Sequence, residues 1–106
     1  MALSIKALGD GQLAGSKATL YTVPGSTQAI LRSITLVNTD GSSRTVNLYV
    51  NRGGTSRRID GKDASLGAGE ARHVQVVITL EAGDLVEGDA SAANVVDYTL
   101  NGVENA

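Results

Sequence analysis

Apolar and polar residues alternate along much of this chain, and a period of two restricts it to a fold built from β-strands. The clearest stretch is residues 45–51, where Val46, Leu48 and Val50 share one parity and polar residues or tyrosine occupy the other. Successive side chains of a strand point to opposite faces, whereas a helix repeats its apolar residues roughly every three to four positions. The pattern therefore predicts strands that bury one face, and no segment has the period of an ordinary helix.

Other segments show the same alternation or have a composition typical of strands. Residues 28–38 form the longest predicted strand, which is apolar on both faces and is therefore expected at the centre of a sheet. The remaining predicted strands are residues 18–23, 57–60, 71–80, 85–89 and 95–103, with a short one at 4–8. Turn-forming pairs such as Pro24-Gly25 and Asp40-Gly41 separate them. About eight short strands divided by such turns predict an all-β, single-domain antiparallel β-sandwich of the jelly-roll type.

The length and composition fit one small domain. A chain of 106 residues can build one modest core, which we expect in residues 18–106, after a flexible N-terminal arm in residues 1–17. Residues 9–17 of this arm are rich in glycine and are expected to form a loop. The sequence has no Cys, Trp or Phe and a single His, which excludes a disulfide framework, a thiolate metal site and a cysteine nucleophile. The fold must therefore be stable through packing or through assembly.

Charge and hydropathy exclude further classes of protein. Nine basic and eleven acidic residues, spread along the chain, give a net charge of -2 and no basic surface for nucleic acid or an anionic membrane. No apolar run is long enough for a membrane span, and the first residues lack the basic and apolar regions of a secretory signal. We therefore expect neither nucleic acid nor a membrane as a partner, and a protein that is made and used without export.

The groups that carry chemistry lack the surroundings of a catalytic or ligand site. The glycines of residues 9–15 are similar to a dinucleotide fingerprint, but their spacing is wrong and no strand and helix flank them. His73 lies on the polar face of its predicted strand and is expected to be a surface side chain. Asp60 and Asp63 lack the oxygen ligands of a calcium loop and are expected to cap a turn. With no Gly-x-Ser-x-Gly elbow either, we expect no enzyme, no metal site and no cofactor.

Two groups of opposite charge are candidates for a protein interface. The basic group flanks the predicted strand 45–51 and consists of Arg44, Arg52, Arg57 and Arg58. The acidic group surrounds a later hairpin and consists of Glu81, Asp84, Glu87 and Asp89. Arginine forms forked contacts with carboxylates and is enriched at interfaces, so the two groups are predicted to join copies of the protein. The alternatives are ordinary solubilising charges, or a glycoside-hydrolysing carboxylate pair, which here lacks an aromatic platform for the sugar.

A second candidate interface consists of apolar residues on the parity opposite to the predicted core. These residues are Leu31, Val37, Tyr49 and Val77. Because the two faces of a strand alternate, these side chains are expected to point away from the core, towards a surface between subunits. The alternative is a core closed on both sides, with β-bulges that shift the parity.

Residues 20–39, LYTVPGSTQAILRSITLVNT, resemble the opening of small β-sandwich structural proteins of tailed bacteriophages. The similarity continues through residues 45–50, through LGAGE at 66–70 and LEAGD at 80–84, and through residues 90–93 and 100–104. It thus covers most of the chain. Proteins of this kind are parts of the virion, either capsid decoration (cement) proteins or components of tails or fibres.

The resemblance implies a virion structural protein that is assembled in the host cytoplasm. The implied partners are further copies of the chain, with a trimer favoured, and the major capsid protein or another virion protein. A single domain without a coiled coil, a fibrous repeat or an aromatic receptor-binding surface favours capsid decoration. A tail, baseplate or fibre-associated module is the alternative, and a carbohydrate-binding module is a more distant one. Residues 1–17 are expected to lie across a neighbour or the shell and to become ordered on contact.

Overall fold

The structure, a computed structural model, describes residues 3–106, and these residues form nine β-strands and no helix. In chain order the strands are β1 (Leu3–Gln12), β2 (Ala18–Thr22), β3 (Gln28–Asn38), β4 (Arg44–Arg52), β5 (Thr55–Arg58), β6 (Ala64–Leu66), β7 (Ala71–Leu80), β8 (Leu85–Ala90) and β9 (Val96–Asn105). The strands form two antiparallel sheets that pack as a sandwich, which confirms the predicted fold class.

The four-stranded sheet has the order β1-β9-β3-β7, and the five-stranded sheet has the order β2-β8-β4-β5, with β6 paired to another part of β4. The chain passes to the other sheet after every strand except β4 and β5. Strands that follow each other in sequence therefore often face each other across the core. The edge strands are β1 and β7 in one sheet, and β2 and β5 in the other.

The strands with the clearest alternation lie where the sequence predicts them. The bounds of β3 and β7 coincide with the predicted strands 28–38 and 71–80. β5 covers Thr55–Arg58 and therefore begins two residues before the predicted strand 57–60. The three-residue strand β6 is absent from the sequence prediction.

The N-terminal residues form an edge of the four-stranded sheet. β1 pairs with β9 along its whole length, with a bulge between Ala7 and Gly9. The short strand predicted at 4–8 is therefore longer at both ends, and the loop predicted for residues 9–17 is wrong as far as Gln12. Residues 1 and 2 of the predicted arm lie outside the described residues. Contact of residues 1–17 with a neighbour stays a prediction.

The two sheets enclose one hydrophobic core. Its fully buried side chains come from both sheets and from the segment after β1, and the largest are Leu13, Leu31, Ile34, Leu36, Leu48, Leu80 and Leu100. Burial of one side chain of this size contributes roughly 1.5–3 kcal/mol. In a chain without cysteine, this packing is the main source of stability.

A bulge in β3 overturns one predicted interface residue. Between Leu31 and Ser33 the register advances by two residues on β3 and by one on β9, so that Arg32 is an extra residue. The extra residue reverses the parity of the strand, and Leu31 and Ile34 both face the core. Leu31 has 0% exposure, so its prediction as an intersubunit residue is wrong. Ile30, whose parity is opposite to that of Leu31, is half-buried on the outer side.

One polar cluster links the two sheets through the core. The Tyr21 hydroxyl on β2 donates to Glu104 Oε2 on β9 at 2.5 Å, and the Lys6 ammonium on β1 lies 2.9 Å from Glu104 Oε1. Tyr21 and Glu104 are both buried. The contacts with Tyr21 and Lys6 hold the pKa of Glu104 below its usual range, while burial and the same carboxylate raise the pKa of Tyr21. Both oxygens of this buried carboxylate therefore have partners, as burial requires.

Candidate protein-interaction surfaces

The outer face of the five-stranded sheet carries a hydrogen-bonded polar network. Asn47 on β4 donates to Asp89 on β8 at 2.9 Å and accepts from Arg58 on β5. The Tyr49 hydroxyl donates to Asp89 at 3.1 Å, and the Arg58 guanidinium lies 5.0 Å from the centre of the Tyr49 ring. Glu87 accepts from a serine and an asparagine of the same face. The fold thus brings together four predicted interface residues within a single chain, namely Tyr49, Arg58, Glu87 and Asp89.

Two further predicted residues of the basic group are paired within the chain. Arg44 donates to Asp40 at 2.5 Å, and this contact holds the pKa of Asp40 below its usual range. Arg52 Nε lies 3.4 Å from Asp84 Oδ2, and the same guanidinium donates to the backbone oxygen of Thr79. A contact between copies through Arg44, Arg52 or Asp84 would therefore compete with an existing pair.

The last two charged residues of the predicted interface, Glu81 and Arg57, form fewer contacts within the chain. Glu81 is exposed and accepts from the Gln28 amide at 2.9 Å. Arg57 is exposed, and no carboxylate among residues 3–106 lies within ion-pair distance of it. Arg57 and Glu81 are therefore the predicted charges most available to another chain.

The outer face of the four-stranded sheet carries exposed apolar side chains. Ile5, Val103 and Ile30 stand in register on three adjacent strands. Leu3, Ile5 and Val77 are 75%, 96% and 74% exposed, and Ile30 and Val103 are half-buried. We call these five residues the apolar patch. Contiguous apolar side chains on an outer face are typical of protein-interaction surfaces.

Among the residues of this patch, only Val77 is a predicted interface residue. Leu3 and Ile5 lie in the predicted N-terminal arm, where glycines at 9 and 11 weaken the signal of a strand. Ile30 has the parity of the predicted core, and the bulge at Arg32 reverses that parity. Val37 is another predicted residue of the outer face. It is half-buried at the opposite end of the strand from Ile30, in register with Ala71.

A cleft of about 430 Å³ opens between the edges of the two sheets, where β5 lies opposite β7. We call it the arginine cleft, and its lining residues are Val50, Arg52, Thr55, Arg57, Ile59 and Ile78. Arg57 is in register with the buried Val50, so its side chain starts from the inner face of the sheet. Two contacts bridge the sheets beside the cleft, from Arg52 to the Thr79 oxygen and from Arg72 to Asp60 at 2.6 Å.

The other candidate groups occupy ordinary structural positions. His73 is exposed on β7, and Asp60 is held by Arg72, which keeps the pKa of Asp60 below its usual range. Asp63 accepts from the Asn47 amide at 3.0 Å. Within the described part of the chain, no three His, Cys, Asp or Glu residues are grouped to hold a metal ion. No helix that could cross a membrane occurs in residues 3–106.

The similarity of this protein to solved structures lies in its fold. No family model matches the sequence, and no curated protein matches it. A chain of the T13 particle of infectious bursal disease virus superposes with a TM-score of 0.59 at 8% identity, over 97% of this chain and 30% of that chain. A chain of the Gx strain of this virus superposes with a TM-score of 0.53 at 14% identity, over 97% and 32%. The protein thus spans about a third of the length of these chains.

The sandwich therefore has the fold of a segment found in chains of a virus particle. A pentameric capsid protein from metagenomic phage sequences is less similar in structure, with a TM-score of 0.35 at 18% identity, over 91% of this chain and 63% of that chain.

Proposed function

We propose that this protein is a structural component of a virus particle and, more specifically, a decoration (cement) protein on the capsid of a tailed bacteriophage. In this role it binds the shell and neighbouring copies of itself and stabilises the head. The observation that carries the proposal is the apolar patch, where Leu3, Ile5 and Val77 are at least 74% exposed on the outer face of a sheet. Such a surface is costly in an isolated chain and useful in an assembly.

The fold and the sequence both support this proposal. The sandwich shares its fold with chains of a virus particle. Residues 20–104 resemble small sandwich proteins of tailed-phage virions. The proposal requires no catalytic activity and no cofactor.

The apolar patch joins copies of the protein, with a trimer as the favoured state. Removal of apolar surface from water contributes about 25 cal/mol per Å². Because a small domain without disulfides has little stability to spare, association that buries this surface prolongs its persistence outside a cell. Glu81 lies at the rim of the patch through its contact with Gln28, and it faces the neighbouring copy. Arg57, in the cleft between the edges of β5 and β7, faces the shell.

The carbohydrate-binding alternative receives little support from the tyrosines, which are the only large aromatic residues of the chain. Sugar binding commonly uses an exposed aromatic ring as a platform. Tyr21 is buried, Tyr98 is half-buried and packs against the core, and the Tyr49 ring is covered by the Lys17 ammonium at 5.2 Å and the Arg58 guanidinium at 5.0 Å.

Immunogold electron microscopy tests the proposal. The full chain with a C-terminal epitope tag is produced in cells that assemble the particles, and the particles are purified and labelled. We expect label over the whole shell. Label confined to one vertex would support the tail or baseplate alternative instead, and particles without label would contradict a virion role. An untagged chain provides the control for unspecific label.

A further inference from the structure

The arginine cleft combines apolar walls with a cation that has no carboxylate partner among residues 3–106. Val50, Ile59 and Ile78 provide the apolar walls, and Arg57 lies at the mouth. Arg52, the second guanidinium of the cleft, is already held by Asp84 and the Thr79 oxygen. The free positive charge of the cleft therefore belongs to Arg57, and it is complementary to an anionic group.

The cleft also lies between two unpaired strand edges. β7 pairs with β3 on one side, and β5 pairs with β4 on one side. The outer edge of β7 extends along Ala71–Leu80, and no strand of residues 3–106 pairs with it, although the Thr79 oxygen near its end accepts from Arg52. The free backbone groups of such an edge are a template for an added strand, whose alternate side chains would point into the space between the sheets.

We propose that the arginine cleft binds an extended acidic segment of a partner chain, which adds a strand along the free edge of β7. An apolar side chain of the segment packs against Val50, Ile59 and Ile78, and a carboxylate two positions along, on the same face of the added strand, pairs with Arg57. Charge complementarity and the free edge together select an acidic strand over a neutral or basic one. The inference deepens the proposed function, because it gives the chemistry by which the shell is bound, but its test needs no particle.

The test measures binding of two synthetic peptides to the full-length protein by amide-resolved NMR titration. The acidic probe is acetyl-VTDTVTD-amide, and the basic probe is acetyl-VTKTVTK-amide, so that valine and the charged residue share one face of the strand. We expect the acidic probe to bind at least about tenfold more tightly, a ratio equivalent to one charge-assisted hydrogen bond. The largest shifts are expected in the amides of β7 and β5. Equal binding of the two probes, or shifts concentrated in β1 and β9 at the other end of the four-stranded sheet, would overturn the inference.

Matched arginine variants test the role of Arg57. Arg57→Gln is expected to weaken binding of the acidic probe about tenfold, whereas Arg32→Gln should change it less than about twofold. Arg32 is a suitable control because it is exposed on β3 and does not line the cleft. Arg57→Glu should reverse the preference between the probes. Equal losses in Arg57→Gln and Arg32→Gln would overturn the inference, because they would indicate unspecific attraction.

Two other occupants of the cleft are distinguished by further titrations. Dodecanoate tests an amphiphilic small molecule, and its binding to β7 and β5 without binding of the acidic peptide would overturn the inference. Dilution of the protein alone tests a second copy, because cleft-mediated self-association would shift the β5 amides, which lie outside the apolar patch, with protein concentration and contradict a foreign partner. If Arg57→Gln fails to fold, the comparison of the two peptides on the unaltered protein decides the question.

Discussion

Tyr21 and Glu104 lie 83 positions apart in the sequence, and a hydrogen bond of 2.5 Å between their side chains joins the two sheets. The contact links an edge strand, β2, with β9, which lies inside the four-stranded sheet. Lys6 on β1, an edge strand of the four-stranded sheet, donates to the second oxygen of the same carboxylate. One buried acid on β9 thus connects the end of the sequence with β1 and β2 near its beginning.

Replacement of Tyr21 by phenylalanine removes the donor and leaves a Glu104 oxygen without this partner. We expect Tyr21→Phe to lower the free energy of unfolding by about 1–3 kcal/mol, the cost of an unsatisfied buried acceptor. Urea denaturation followed by circular dichroism measures the change. Tyr98→Phe is the matched control, with an expected change below about 0.5 kcal/mol. Equal losses in the two variants would show that the hydroxyl of Tyr21 has no special role.

Paired carboxyl groups make the fold sensitive to acid. Contacts with Tyr21, Arg72 and Arg44 lower the pKa values of Glu104, Asp60 and Asp40, respectively. A carboxyl whose folded pKa is lowered stabilises the fold fully above its unfolded pKa, about 4 for Asp and Glu, and loses this effect as the pH falls through the folded pKa. We therefore expect the urea midpoint to be nearly constant from about pH 7 to 6 and to fall below about pH 5.

The contribution of Glu104 to this acid sensitivity is separable from that of the aspartates. Glu104→Gln cannot ionise at this position, so its urea midpoint should fall less steeply than that of the unaltered protein between about pH 5 and pH 3. Asp97→Asn, at an exposed position on β9, is the control and should retain the original slope. A Glu104→Gln profile parallel to the original would refute the assignment.

Gly102 on β9 is required by the close approach of β3. A Cβ at this position would overlap the carbonyl oxygen of Ile30 and would lie 2.8 Å from Leu8 Cδ1. We expect Gly102→Ala to destabilise the protein by about 1–3 kcal/mol, because the backbone of β3 must move. Gly41→Ala, whose Cβ would meet no atom within 4 Å, should change stability by less than about 0.5 kcal/mol. Thermal unfolding of both variants is the measurement, and similar melting temperatures would contradict the packing described for β9.

The apolar patch is expected to control self-association. Lysine at two of its most exposed positions, in the double variant Ile5→Lys with Val77→Lys, places charges where a neighbour would pack. We expect the dissociation constant for self-association to rise at least about tenfold, with little change in the stability of the monomer. Light scattering coupled to size exclusion gives the mass. Thr22→Lys, exposed on the other sheet, should retain the trimer, and a trimer in the double variant would exclude the patch as the interface.

The fold was predictable from the sequence to the extent that alternation survives in single strands. β3 and β7 begin and end at the predicted residues because each is long, rich in apolar residues and bounded by turn-forming residues. β1 was not predictable as a full strand, because glycine usually weakens strands. In the structure Gly9 lies where a Cβ would be 3.1 Å from the Leu20 oxygen, so close backbone approach explains the residue.

The surfaces were less predictable than the strands, because they depend on parity and on partners distant in sequence. The amino-acid types around Arg32 do not indicate a bulge. The bulge nevertheless turns Leu31 towards the core and Ile30 away from it. The sequence shows which residues are charged but not which are already paired. The structure pairs Arg44 with Asp40 and leaves Arg57 without a carboxylate among the described residues.

The copy number of this chain in purified particles tests the central claim most directly. Quantitative mass spectrometry with isotope-labelled peptides of this chain and of the major capsid protein gives the ratio. A decoration protein is expected in numbers comparable with those of the major capsid protein, and the ratio should be constant between preparations. A purified particle that contains no copies of the chain would contradict its assignment as a structural component of the virion.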